Sequence, residues 1–134
     1  MNWALLVIQA LALWGWAGLS VTVVETPLQM AVGVAHPHGL SGCLVEVDPA
    51  GIEPGDEFSV ITHEVGHCVG YYGPLGMPET WHSENPDSVM YSFYRAGLHG
   101  VILPEDYAKA RGNWYPWLGK NPYRVVIGTL AADN

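Results

Sequence analysis

The sequence predicts a small α+β fold, and its length of 134 residues predicts one domain, residues 1–134. Three segments have the β-branched residues and flanking turn residues of strands: 20–25, 30–36 and 42–47. Two later segments are typical of helices. In residues 63–70, two histidines four positions apart are followed by Gly70, and residues 103–111 begin with Leu-Pro-Glu-Asp and end with basic residues.

The charge of the chain excludes one class of function. With 13 acidic and only five basic residues, the net charge is −8. A nucleic-acid-binding protein needs a basic face to neutralise phosphates, so we expect no nucleic-acid partner. The same balance disfavours binding to an anionic membrane surface. It is compatible with a soluble enzyme but says nothing about the bond that such an enzyme would cleave.

Residues 3–17 are almost entirely apolar, and they allow three interpretations. Helix formers fill residues 4–13, and Gly15 with Gly18 could end a buried first helix. A secretory signal peptide would have an apolar core of this length, but it normally begins with Lys or Arg, and neither occurs before Arg95. A membrane anchor would need about twenty apolar residues, which this segment reaches only by including its small and polar neighbours.

Several residues outside the regular strand and helix patterns allow more than one interpretation. Asp56 or Thr62 could cap the helix that contains the two histidines of residues 63–70. On this helix Cys68 points away from the two histidines, which predicts that it packs between helix and sheet. A disulfide between Cys68 and Cys43 is possible if the chain is exported. His36 and His38 flank a turn and are interpreted as surface histidines.

His63, Glu64 and His67 form the His-Glu-x-x-His pattern of zinc hydrolases. On a helix, residues four apart share one face, so the two imidazoles can bind one metal ion. Glu64 then lies beside that metal, where a carboxylate can accept a proton from a metal-activated water. The sequence therefore predicts a zinc site with His63 and His67 as ligands and Glu64 as general base.

The run HEVGHCVG at residues 63–70 and the run SVMY at residues 88–91 resemble the metzincins, most closely their matrixin-like branch. That family has the pattern HExxHxxGxxH followed by a Met-turn. The third histidine should stand at position 73, which is Gly73 here. We interpret residues 73–81 as an insertion that delays the third ligand to His82. The other candidates for third ligand are Glu79, Glu84, Asp87 and His99.

The resemblance covers residues 10–111 and implies a specific fold. It implies a small, twisted, mostly parallel sheet with an N-terminal helix and an active-site helix, then an irregular part with the Met-turn and a closing helix. An antiparallel edge strand would bind extended peptide, and residues 34–36 are the candidate. Residues 92–94 would form the wall of a substrate pocket, with ordinary core packing of Phe93 and Tyr94 as the alternative. Residues 113–134 form an extension of unknown role, in which residues 123–130 could be a final strand. Because matrixins carry a structural zinc near the position that His36 and His38 occupy, the resemblance also gives a second metal site at these two residues as an alternative to surface histidines.

The resemblance also implies a function, that of a zinc-dependent endopeptidase. Zn²⁺ would be held by His63, His67 and His82, Met90 would pack beneath it, and Tyr91 would have no metal role. We expect a monomer that acts on a protein or peptide substrate. The family is mostly extracellular, but no clear signal peptide is present. The alternatives are a membrane-anchored peptidase and a catalytically inactive, zinc-stabilised binding or structural protein.

Overall fold

The computed structural model describes residues 1–16, 18–38, 41–74 and 76–118, which contain three helices and a three-stranded sheet. The helices are α1 (Trp3–Leu13), α2 (Glu57–Cys68) and α3 (Pro104–Leu118). The strands are β1 (Val21–Glu25), β2 (Gly33–Pro37) and β3 (Cys43–Val47). The α+β prediction is confirmed at this level. The predicted strand at residues 123–130 lies outside the described residues.

The sheet is mixed, with strand order β1-β3-β2. β1 is parallel to β3, whereas β2 is antiparallel to β3. Only residues 38–42 separate β2 from β3, which is too few for the crossover that parallel strands need, so these two strands must be antiparallel. The described sheet thus has one pair of each kind and is not mostly parallel. The segment at residues 34–36 lies in the antiparallel edge strand, as expected.

α1 packs against α2 through one face. Val7, Ala10 and Leu11 are buried, and the Trp14 indole nitrogen donates a hydrogen bond of 2.9 Å to the Thr62 carbonyl of α2. This packed face is what the buried-helix interpretation predicts. The opposite face of α1 exposes Leu5 and Ile8. Among the described helices, none combines the length and hydropathy that a transmembrane span requires.

The core lies between the sheet and α2. β3 contributes Val45 and Val47, and α2 contributes Ile61 and Val65, all of them fully buried. Burying such side chains is the main favourable term in folding, at about 1.5–3 kcal/mol each. A disulfide between Cys43 and Cys68 then joins the start of β3 to the end of α2. The pairing that the sequence left open is therefore formed.

The ends of the helices differ from expectation in two details. Asp56 is the N-cap residue of α2, but its side chain makes no capping hydrogen bond, and Thr62 lies inside the helix. α3 continues past Arg111 to Leu118, so part of the expected C-terminal extension belongs to the closing helix.

Candidate metal centre

The two histidines of α2 are oriented by backbone carbonyl groups. Nδ1 of His63 lies 2.6 Å from the Val89 carbonyl oxygen, and Nδ1 of His67 lies 2.8 Å from that of Tyr71. A carbonyl oxygen can only accept, so Nδ1 carries the proton in both rings and Nε2 has the lone pair. Metal-binding histidines are usually held in this way. Both rings are therefore prepared to bind a cation through Nε2.

His82 joins these two rings, although fourteen residues separate it from His67. Its ring centroid lies 5.3 Å from that of His63 and 5.1 Å from that of His67. Each of the three histidines offers a ring nitrogen, and these atoms all lie within 4.8 Å of one another. Nitrogen ligands of one tetrahedral zinc ion would be about 3.4 Å apart, at about 2.0–2.1 Å from the metal. Three ring nitrogens gathered this closely are a donor set that one zinc ion can draw together.

The electrostatic environment keeps the rings of His67 and His82 neutral. Burial lowers the pKa of His67 well below its usual value, and the neighbouring His63 and His82 lower it further. Burial, then His63 and Lys109, lower the pKa of His82 to about 3. A neutral imidazole is the form that binds a metal ion. These two histidines can therefore act as ligands at neutral pH without first losing a proton.

Glu64 is fully buried and lies beneath the edge strand β2. A Cβ atom placed on Gly33 would lie only 2.8 Å from Oε2 of Glu64. The absence of a side chain at Gly33 leaves the space that the carboxylate occupies. Glu64 and His63 line one pocket together, so the carboxylate and a candidate ligand face the same space.

The predicted Met-turn lies below the histidines. Met90 is fully buried, and its sulfur lies so close to Gly66 of α2 that a Cβ there would be 2.5 Å away. Ser88 accepts a 2.9 Å hydrogen bond from the Met90 amide and donates one of 2.7 Å to Asp106 of α3. The turn is thereby fixed to α3, and Met90 fills the space under α2 as expected for packing.

The wall of the pocket beside Glu64 comes from the chain after the Met-turn. Tyr91, Phe93, Tyr94 and Arg95 line it on this side. Phe93 is 60% exposed and so is not a core residue. The Tyr94 hydroxyl donates a 2.6 Å hydrogen bond to Asp56 and accepts one from the Glu53 amide. The segment predicted as a pocket wall thus lines a pocket.

The other candidate ligands do not join the three histidines. Glu79, Glu84 and Asp87 are exposed. His99 lies 2.7 Å from Asp56 and is not part of the histidine cluster. Within the described ranges, His63, His67 and His82 are the one set of three residues that could hold a metal ion.

The alternative second metal site has no supporting geometry in the described residues. His36 lies 2.7 Å from Glu46 of the neighbouring strand, and His38 is exposed. The cross-strand pair gives His36 a structural partner. His38 is thus exposed, as expected for a surface histidine, whereas His36 is partly buried within β2.

Sequence reasoning missed several residues that surround the site. Gly33 makes room for Glu64, Asp56 holds the pocket wall, and Lys109 contacts the inserted segment. None lies in the motif, and each acts across a large sequence separation. The only signal in the sequence was that Lys109 is one of five basic residues in an acidic chain.

Comparison with known proteins identifies no family for this chain. No protein-family model, curated protein or solved structure matches it.

Proposed function

We propose that this protein is a zinc-dependent endopeptidase of the metzincin type. The observation that carries the proposal is the convergence of His63, His67 and His82 beside the buried Glu64. Three histidines with a carboxylate at the second position of the motif are the donor set and general base of zinc peptidases. A zinc ion held there would polarise a peptide carbonyl and lower the pKa of a bound water.

The chain's own residues would do the rest of the chemistry. Nε2 of each histidine supplies one ligand, and the Val89 and Tyr71 carbonyls keep two of the rings in position. Glu64 accepts the proton of the attacking water and passes it to the leaving amine. Its burial under Gly33 limits the carboxylate to a small range of positions, which such a proton transfer requires.

The free edge of β2 fits an extended substrate. Among the described strands β2 pairs only with β3, so its other edge can add a peptide by main-chain hydrogen bonds. β2 also packs against α2, which brings that edge near Glu64. We therefore propose a protein or peptide in extended conformation as the substrate, with one side chain in the pocket lined by Tyr91 and Phe93.

The variant Glu64→Gln tests the function, because it removes the base and leaves the histidines unchanged. We expect zinc content to remain at the wild-type level and kcat to fall by about a hundredfold to ten-thousandfold. Cleavage of a peptide library, with a chelator as control, is the measurement. Equal cleavage by wild type and variant would refute the role of Glu64.

The variant His82→Ala tests the third ligand separately. We expect its zinc content, measured after dialysis against metal-free buffer, to fall strongly because only two ligands remain. Unchanged zinc content and activity would exclude His82 as a ligand. A wild-type protein that binds zinc through His82 and cleaves no peptide would instead be the zinc-stabilised structural protein.

A further inference from the structure

One face of α3 is bonded both to the end of the inserted segment, residues 73–81, and to the residues just before it. The Lys109 ammonium donates a hydrogen bond to the Thr80 carbonyl, two residues before His82. The Asn113 side-chain amide donates to the carbonyls of Gly70 and Tyr72, each at 2.7 Å, where the chain enters the segment. Lys109 and Asn113 are four positions apart and so share a helix face.

The segment also closes on itself between these two bonds. A Cβ on Gly73 would lie 1.7 Å from the Thr80 hydroxyl oxygen, so the two ends are in contact and only glycine fits. Trp81 is 3% exposed, and its ring lies 5.8 Å from that of Tyr72 and 6.3 Å from that of His67. The length of the insertion therefore has little effect on the position of His82, because the two ends of the insertion are in contact.

The position of Lys109 has an electrostatic cost. Its ammonium is half-buried over the Tyr71 ring, 4.5 Å from the centroid, and burial lowers its pKa. Its charge also lowers the pKa of His82, which means that it acts on the metal-binding group. A cation so close should repel a metal ion. Its hydrogen bond to Thr80 should instead favour metal binding, because it fixes the backbone two residues before His82.

We propose that Lys109 and Asn113 are positioning residues, which hold His82 against His63 and His67 by bonding the end of the inserted segment and the residues just before it. The proposal rests on the proposed function in that it takes the three histidines as one metal site. It goes beyond that function because it assigns a role to α3. The insertion displaces the third ligand in the sequence, and α3 would hold that ligand in position.

The test compares Lys109→Met with Lys109→Arg, and uses Arg111→Met as the control on an exposed position of the same helix. The dissociation constant for Co²⁺ is measured by competition with a chromophoric chelator, and the visible Co²⁺ spectrum reports ligand number and geometry. We expect Lys109→Met to bind Co²⁺ about tenfold more weakly, as is typical when a residue that orients a ligand is lost. Lys109→Arg should restore the affinity, and Arg111→Met should match wild type.

The sign of the effect separates positioning from simple charge. If Lys109 were only a nearby cation, Lys109→Met would remove repulsion and bind Co²⁺ more tightly. Tighter or unchanged binding, with a wild-type spectrum, would therefore overturn the proposal. Circular dichroism checks that each variant folds, and Asn113→Ala serves as an independent second variant, for which weaker binding is again expected.

The same measurements distinguish failure of this proposal from failure of the peptidase. If Co²⁺ binding depends on His82 and Lys109 but no peptide is cleaved, only the catalytic function fails. If peptides are cleaved and Lys109→Met and Asn113→Ala bind Co²⁺ as wild type does, only the positioning role fails. If His82→Ala leaves the Co²⁺ spectrum unchanged, His82 is not part of the site and the positioning proposal is overturned.

Discussion

Glu64 depends on a neighbour that has no side chain. Gly33 of β2 lies over the carboxylate, and a Cβ there would be 2.8 Å from Oε2 and 3.0 Å from Cγ of Glu64. Real Cβ contacts of this length essentially do not occur, so one of the two groups would have to move. Because Glu64 is fully buried, its carboxylate has little space into which it can move.

We therefore predict that Gly33→Ala reduces catalysis more than stability. A displaced base loses its alignment with the attacking water, and a shift of about 1 Å can cost about a hundredfold in rate. The measurement is kcat/KM together with zinc content, which should stay normal. Gly112→Ala is the matched control, since a Cβ there meets nothing within 4 Å. In that exposed helical position it should leave kcat/KM unchanged and raise stability by about 0.5–1 kcal/mol. Equal rates in the two variants would contradict the role of Gly33.

Asp56 connects the start of α2 to the wall of the pocket. Its carboxylate accepts hydrogen bonds from the Tyr94 hydroxyl at 2.6 Å and from the Gly97 amide at 2.9 Å, and His99 lies at 2.7 Å. The Tyr94 hydroxyl, then the Gly97 amide, lower the pKa of Asp56 below its usual value of 3.8, against the opposing effect of burial. The ionised form is therefore the one that the fold prefers.

Asp56→Ala should destabilise the protein in a pH-dependent way. A carboxyl whose pKa is lower in the folded state contributes its full stability above its unfolded pKa and loses it as the pH falls through the folded pKa. The difference in unfolding free energy between wild type and variant should thus be largest at neutral pH and shrink below pH 3.8. Urea denaturation across this range measures it. A difference that does not change with pH would show that Asp56 acts by packing alone.

At the scale of elements, periodicity and turn residues predicted the helices and strands that depend mainly on neighbouring residues. The three strands, the motif helix and the start of the closing helix are each specified by neighbouring residues. The pairing of β1 with β3 joins strands that β2 separates in the chain, and the expected family fold gave the edge position of β2 but overestimated the parallel pairs. Pairing between strands is a tertiary property, so local composition does not determine it.

The disulfide joins two elements that carry different parts of the site. Cys43 starts β3, and Cys68 ends α2 directly after His67. A crosslink over 25 positions restricts the unfolded chain and should contribute about 3 kcal/mol to stability. The double variant Cys43→Ser/Cys68→Ser should lose about this amount in chemical denaturation. A reducing agent should lower the melting temperature of wild type and leave that of the variant unchanged, and an equal effect on both would contradict the prediction.

At the scale of the whole molecule, the sequence predicted the residues of the candidate metal centre better than the residues that hold them in position. His63, Glu64 and His67 follow from a spacing on one helix, and His82 followed from the run before the Met-turn. How the insertion folds could not be predicted. That depends on Lys109 and Asn113, which lie more than 25 residues away in sequence and whose contacts exist only once α3 has packed.

The last prediction concerns α1, which packs against α2 and also contacts β1 of the sheet. Trp14 is 4% exposed, its indole nitrogen bonds to the Thr62 carbonyl, and its ring would contact any Cβ on Gly66. Trp14→Ala should lower the free energy of unfolding by about 3–5 kcal/mol, because it leaves a cavity beside the motif helix and removes the hydrogen bond of the indole to Thr62. Ile8→Ala, on the exposed face of the same helix, should change it by no more than about 0.5 kcal/mol. Equal, small effects would show that α1 does not belong to the core in solution, and would favour its interpretation as a signal or anchor.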